Sequence, residues 1–272
     1  MSDKSTYDLI IVGAGPAGCA AAQQLSGSGL KIAILEKYQF PRDKICGDAL
    51  SPDVVKQLKL LDPKIAKRFQ FEKRRSACEG LLLYAKDGKA LDLKFPCIED
   101  SDAPSFVMRR MDFDYFLFKS IEEKEDIEIY QNQNIQSIHR EANGFRLRSQ
   151  TQEFTARFLI GADGAQSVVN RSLLNAKMNK AHHVAGLRQY YQGIKGMGTK
   201  GQLELHFYPE IAPGYFWIFP LSENEANVGI GMISKDIAQK KVNLKKALAE
   251  LIAEHPQLKE RFSAAEAMEN PK

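Results

Sequence analysis

Two glycine-bearing turns, set far apart in the chain, have the residue types and spacing to hold a dinucleotide. Tyr7 to Val12 (YDLIIV) is an apolar run that leads into Gly13, Gly15 and Gly18 (GAGPAG). In such a turn Gly13 permits the tight reversal out of the strand. Gly15 presents no side chain to an approaching pyrophosphate, and Gly18 lets the following helix pack closely on the sheet. Pro16 and Ala17 open that helix, expected from Pro16 to about Ser26, and its N-terminal N–H groups would face a diphosphate. The next strand, Lys31 to Leu35, ends at Glu36, whose carboxylate can accept from a ribose 2′-hydroxyl and would repel a 2′-phosphate. The second turn follows Arg157 to Ile160 and reads Gly161-Ala162-Asp163-Gly164, with Ser167 just beyond. Together the two turns point to bound FAD and so to redox chemistry.

The rest of the composition sets bounds. The chain has 272 residues, 44% of them hydrophobic, enough to bury a real core in one large or two ordinary domains. No apolar run reaches the roughly 18 residues a membrane span needs. The polar start MSDKSTYD leads straight into a strand, so no signal peptide is expected. Cys19, Cys46, Cys78 and Cys97 lack C-x-x-C spacing, which fits reduced thiols and a cytoplasmic setting better than a disulfide or zinc framework. Adjacent His182 and His183 point to opposite faces of a strand, so no metal is expected there. The net charge of +4 is mild. Lys73-Arg74-Arg75 reads as a solvated surface and not a nucleic-acid patch; peripheral membrane contact through anionic lipid stays open.

Periodicity supplies the positioning elements. Residues 7–36 form a βαβ unit, and Phe40 to Leu50 (FPRDKICGDAL) is a loop. Ser51-Pro52-Asp53 looks like an N-cap with proline at the first helical position. Gly80 to Phe95 reads as a hairpin around Lys86-Asp87-Gly88. Arg110 to about Lys124 has the spacing of an amphipathic helix. Ile127 to Ile138, Phe145 to Ser149 and Glu153 to Ala156 resemble strands of a meander. From about Ala181 four long strands suggest an antiparallel sheet: His182 to Ile194, Gly201 to Tyr208, Tyr215 to Phe219 and Ala226 to Ile233. Helices are expected at 243–254 and 257–268. The expected fold is α/β: a Rossmann-type FAD-binding domain (residues 1–79 and 97–176) with a discontinuous antiparallel substrate domain (80–96 and 177–272).

Residues 213–231 narrow the class. Tyr215, Trp217, Phe219 and Pro220, followed by Gly229 and Gly231, resemble the Y-x-W-x-F-P…G-x-G signature of the geranylgeranyl reductase family of FAD-dependent flavoproteins. Arg42 to Gly47 (RDKICG) resembles the family's R-x-K-x-C-G loop, and Arg110 to Asp114 its R-x-x-F-D helix start. Gly161 to Arg171 resembles the segment shared with p-hydroxybenzoate-hydroxylase-like flavoproteins. There are departures. Leu221 stands where many relatives have lysine after F-P, and Asn170 where an arginine often follows S-x-V. Nothing after Ala226 matches the third FAD motif of such relatives. That gap implies a C-terminally incomplete chain, a longer native polypeptide, and weak FAD binding by these residues alone.

The resemblance implies cofactor contacts from Gly13, Gly15, Pro16, Ala17, Gly18, Glu36, Lys37, Arg42, Cys46, Gly47, Arg110, Asp163 and Gly164. Cys46 is either a thiol that donates a proton, its pKa lowered below about 8.5 by Arg42 and Lys44, or a small residue shaping its loop. Asp163 holds cofactor hydroxyls, caps a helix, or does both; Ser167 reads as structural. Tyr215, Trp217 and Phe219 share one strand face, as an aromatic core or as the wall of an apolar cavity. Tyr215 is the second candidate proton donor.

The function implied by the resemblance is FAD-dependent reduction of a carbon–carbon double bond in a prenyl or similar lipid, with NAD(P)H or another reductant as electron donor. The alternatives are a flavin-dependent aromatic monooxygenase or halogenase-like enzyme, and a non-catalytic FAD-binding remnant. The expected partner is a hydrophobic small molecule or lipid, with no nucleic acid. The oligomeric state is left open.

Overall fold

A computed structural model describes residues 5–98, 101–197 and 201–272. The chain divides into two compact units, Met1–Asp43 with Met111–Lys177, and Lys44–Arg110 with Met178–Lys272.

The first unit is built on a six-stranded sheet. In spatial order its strands are Ile127–Tyr130, Ile32–Leu35, Ser5–Val12, Glu153–Gly161, Gly144–Arg148 and Ser137–Glu141. The first four run parallel and the last two continue antiparallel. Strands covered on both faces read as unbroken apolar runs, and Ile32–Leu35 is buried at every position. Ile10, Val12, Ala33, Leu35, Leu147 and Phe154 fill the core. Val12 pairs with both Leu35 and Gly161, so the two glycine turns leave the sheet side by side.

Two expectations change here. Ile127 to Ile138 is not one strand of a meander. Ile127–Tyr130 pairs parallel with Ile32–Leu35 at the far edge, and only Ser137–Glu141 joins the antiparallel end. Glu153 to Gly161 is a single strand, unbroken at Arg157. Phe154, Thr155 and Ala156 pair on both sides. Among the described residues, Arg157–Gly161 is paired only with Ser5–Val12, and Phe158 is exposed on that open half.

The second unit carries a seven-stranded sheet. The order is Glu266–Ala267, Val184–Gln192, Glu225–Ile233, Gly214–Pro220, Gln202–His206, Gly80–Tyr84 and Ala90–Lys94. Neighbours are antiparallel except Gln202–His206 with Gly80–Tyr84, which brings the 80–95 hairpin onto the sheet by a parallel pairing. Alternation along Gly214–Pro220 splits the side chains between two cores. Phe216 and Ile218 pack with Val228, Ile230, Leu248 and Leu258 under the helices Leu244–Glu254 and Pro256–Arg261. Trp217 and Phe219 pack on the other face with Cys78, Val107 and Leu203.

Residues 44–79 and 97–110, which sequence reasoning places with the dinucleotide domain, group with this second unit. The short strands Ala49–Leu50, Ser105–Val107 and Ser76–Cys78 form a small sheet of their own, and Cys78 and Val107 belong to the Trp217 core. The helix expected at 257–268 stops at Arg261, and Glu266 and Ala267 pair with Gln192 and Tyr191 instead. Among the described residues no helix is long and apolar enough to cross a membrane.

Candidate functional site

In the first unit each glycine of the first turn has its own reason. Gly13 sits at φ +98°, and a Cβ there would lie 2.5 Å from the carbonyl oxygen of Ala162 in the second turn. A Cβ on Gly18 would lie 1.9 Å from the Gly13 carbonyl oxygen, so only glycine lets helix Pro16–Leu25 start this close to the strand. Gly15 differs: nothing but an Arg42 Nη2 at 3.6 Å approaches its missing Cβ, and that leaves an open cradle. No side chain caps the helix, and Pro16 has no N–H to satisfy. The N-terminal turn is therefore left to an anion.

Glu36 is buried at the tip of its strand. Its Oε2 accepts from the Ala14 N–H at 2.9 Å and its Oε1 from the Tyr38 N–H at 3.1 Å. The carboxylate thus ties the strand end to the glycine turn while keeping lone pairs for a ribose hydroxyl. Lys37 is exposed, its ammonium 4.7 Å from the Tyr38 ring centroid.

The two carboxylate oxygens of Asp163 have different surroundings. Oδ2 accepts from the N–H groups of Val168 and Val169 at 2.6 and 3.2 Å, capping helix Val168–Leu174. Oδ1 is buried without a hydrogen-bond partner among the described residues. Buried polar atoms are rarely left unpaired, and a hydroxyl-rich ligand would satisfy this one. Gly164, at φ +75°, has nothing within 4 Å of its missing Cβ. Ser167 is structural, its Oγ accepting from the Asn170 N–H at 2.9 Å. The open cradle at Gly15, the uncapped helix and the orphan Asp163 oxygen fit a dinucleotide such as FAD.

Arg42 has partners of its own beside the Gly15 cradle. Its Nη1 donates to Asp114 at 2.7 Å, its Nε lies 3.6 Å from Glu36, and its guanidinium stacks on Phe40. The Nζ of Lys44 donates to the Ile45 carbonyl. Both cations that sequence reasoning sets beside the Cys46 thiol have other partners.

The second unit holds Cys46, half-buried, in a loop pinned from the sheet. Asn227 does the pinning. Its Nδ2 donates to the Cys46 carbonyl at 2.8 Å and to Asp48 Oδ2 at 2.7 Å, and its Oδ1 accepts from the Trp217 indole at 2.9 Å. The R-x-K-x-C-G loop and the Y-x-W-x-F-P strand are therefore joined through one amide. A side chain at Gly47 would strike Phe219, its Cβ 2.7 Å from the ring.

Asp48 is the residue sequence reasoning missed. It is fully buried at φ +68°, a left-handed conformation uncommon outside glycine. Tyr190 Oη donates to it at 2.8 Å and the Arg110 N–H at 2.9 Å. Arg110 thus reaches this network through its backbone. Burial raises the Asp48 pKa above the ordinary carboxylate value; the hydrogen bonds from Asn227, Tyr190 and Arg110 oppose that rise without cancelling it. Positions 48, 190 and 227 share no sequence pattern, so nothing short of the fold could have assembled them.

Of the three aromatics, Tyr215 alone lines a groove. It is a channel of about 680 Å³ walled by apolar side chains including Val184, Phe207, Pro213, Met232 and Ile233, with Lys86 the one charged residue in its lining. Trp217 and Phe219 are 7% and 9% exposed and belong to the core.

The glycine turn, the strand-end carboxylate and the second sheet define a dinucleotide-binding flavoprotein fold of two units. The chain belongs to the FAD binding domain family, whose model matches residues 6–226. The geranylgeranyl reductase catalytic domain matches residues 188–269. Among curated relatives, a menaquinone reductase of Mycobacterium tuberculosis is 28% identical over 258 residues, covering 86% of this chain and 57% of that protein. Digeranylgeranylglycerophospholipid reductase 1 of Methanococcoides burtonii is 28% identical over 250 residues, 88% of this chain and 57% of the relative. The chain thus spans little more than half the length of these relatives.

Among solved structures, a geranylgeranyl bacteriochlorophyll reductase-like protein from Thermoplasma acidophilum superposes with a TM-score of 0.77 at 22% identity, covering 99% of this chain and 66% of that one. The halogenase PltM, in complex with phloroglucinol and FAD, superposes with a TM-score of 0.79 at 20% identity, covering 98% and 59%. At these identities the likeness is one of fold.

Proposed function

We propose that this chain acts in FAD-dependent reduction of carbon–carbon double bonds of a prenyl or similar isoprenoid lipid. The observation that carries the reading is the Trp217–Asn227–Cys46 linkage. It binds the aromatic signature strand of residues 214–220, which lies within the segment matching the geranylgeranyl reductase catalytic domain, to the one half-buried cysteine. The naming of relatives as menaquinone and digeranylgeranylglycerophospholipid reductases supports a substrate with an isoprenoid chain.

Bound FAD supplies two-electron redox chemistry, replenished by NAD(P)H or another reductant. The chain's own residues then have separate tasks. Gly13, Gly15, Gly18 and the helix N-terminus at Pro16 and Ala17 hold the diphosphate. Glu36 and the unpartnered oxygen of Asp163 hold hydroxyls, with the open backbone at Gly164 beside Asp163. The apolar groove beside Tyr215 excludes water from an isoprenoid chain. An isolated alkene accepts hydride poorly, so a placed proton donor is needed. Cys46 and Tyr215 are the candidates.

The test is reduction of a geranylgeranyl lipid by the FAD-loaded chain under anaerobic dithionite, followed by mass spectrometry. A gain of two hydrogens per reduced double bond supports the reading, and its loss in Cys46→Ala or Tyr215→Phe names the donor. Oxidation of reduced FAD by oxygen coupled to hydroxylation, or with halide to halogenation, of an aromatic substrate, with no alkene reduction, would replace it with the monooxygenase or halogenase-like reading.

A further inference from the structure

The positive charge of this chain is concentrated in one place. Residues 51–75 hold eight Lys and Arg against three Asp and Glu, a net of +5 in a chain whose total is +4. This segment contains two short helices, Pro52–Leu61 and Pro63–Gln70, packed by Val55, Leu58, Ile65 and Phe69.

Their outward stripes are specific. On the second helix Lys64, Lys67 and Arg68 are exposed at i, i+3 and i+4, and Phe71 follows at i+7 just past its end. On the first helix Lys56 and Leu60 are exposed at i and i+4. Leu60 is 75% and Phe71 73% exposed, among the most exposed large hydrophobic side chains described.

Two of the three acids nearby are occupied. Asp62 caps the second helix through the Lys64 N–H, and Glu72 pairs with Arg74. Arg75, part of the basic run prominent in the sequence, is structural: it bonds Asp102 and stacks on Phe106. What faces outward is therefore an array of lysines with two apolar side chains set in it.

We propose that this helical hairpin seats on a bilayer surface bearing anionic lipid, with Leu60 and Phe71 entering the headgroup region and Lys56, Lys64 and Lys67 meeting the lipid phosphates. Polybasic surfaces gain attraction from each cation near an anionic leaflet, and inserted apolar side chains add to it. A nucleic-acid backbone would use the cations but not the two apolar side chains, so lipid is the better fit.

Vesicle flotation of the full chain tests this without any turnover, so its failure and failure of the reductase reading are separate results. The chain should float with phosphatidylcholine vesicles containing phosphatidylglycerol, not with phosphatidylcholine alone, and less at high salt. The triple variant Lys56→Gln/Lys64→Gln/Lys67→Gln should bind on the order of a hundredfold more weakly. Leu60→Ser/Phe71→Ser should bind about tenfold more weakly. All these positions are exposed, so each variant should melt at the wild-type temperature. Absent or phosphatidylglycerol-independent flotation overturns the proposal. So does unchanged binding by both variants, or tighter binding to duplex DNA or RNA that the triple variant loses.

Discussion

Arg42 Nη1 donates to Asp114 Oδ2 at 2.7 Å, joining the cysteine-loop segment to the R-x-x-F-D helix. The Asp114 side chain is wholly buried and that of Arg42 is 11% exposed. Removing the guanidinium takes this cation away from the buried Asp114 carboxylate, so Arg42→Ala should lose about 3–5 kcal/mol in urea unfolding. Arg42→Met/Asp114→Leu should recover part of that loss. A cost below about 1 kcal/mol for Arg42→Ala would mean that the pair behaves as a solvated contact.

Glu36 serves the fold as well as any ligand, because both its oxygens accept backbone N–H groups. Glu36→Ala would release those donors and confound binding with folding. Glu36→Gln keeps one acceptor oxygen and is the cleaner probe. It should weaken FAD by about 1–3 kcal/mol in a fluorescence titration, and an unchanged affinity removes Glu36 from the site.

Trp217 and Gly229 are complementary. A Cβ on Gly229 would lie 2.2 Å from the indole and 2.4 Å from the Leu187 carbonyl oxygen. Trp217→Ala should therefore destabilise the chain by about 3–5 kcal/mol, and Gly229→Ala should also lower the melting temperature. Tyr215→Phe, at a 38% exposed position on the groove, should melt within a degree or two of wild type. A fully stable Trp217→Ala protein would place the indole outside the core.

Glu204 is buried and held by Arg261 at 2.6 and 2.9 Å, with His206 at 3.1 Å. Burial pushes its pKa up, but the hydrogen bonds from His206 and Arg261 and the charge of Arg261 outweigh it, and the net shift is downward from 4.5. A depressed carboxyl stabilises the fold above its unfolded pKa and loses that contribution as pH falls through the folded one. Glu204→Gln should thus destabilise by about 3–5 kcal/mol near neutrality. Its gap from wild type should narrow as the pH drops below 4.5. A gap constant with pH would refute the assignment.

The cysteines should separate by reactivity. Burial pushes the Cys19 thiol up to about 12 and raises that of Cys78. Cys97 is exposed and Cys46 half-buried. Iodoacetamide at mildly alkaline pH, read by peptide mass spectrometry, should label Cys97 first and Cys46 next, leaving Cys19 and Cys78 intact until the chain unfolds. Early labelling at Cys19 would contradict the packing of helix Pro16–Leu25.

The sequence by itself determined the strand–turn–helix at Gly13 to Gly18, the carboxylate at Glu36 and the alternation of Tyr215, Trp217 and Phe219. Each rests on local geometry: a positive φ, a missing Cβ, or a side-chain period of two. Strands such as Ile32–Leu35 were legible because burial on both faces leaves an unbroken apolar run. Only the tertiary structure decided the partners. Arg42 meets Asp114 across 72 residues, Tyr190 meets Asp48 across 142 and Asn227 meets Asp48 across 179. Residues 266–267 became strand, against the expected helix, because Tyr191 and Gln192 offered an edge to pair with. Trp217 became core because Gly229 left room beneath it. Contacts of this kind depend on how distant segments are brought together, and no local spacing encodes them.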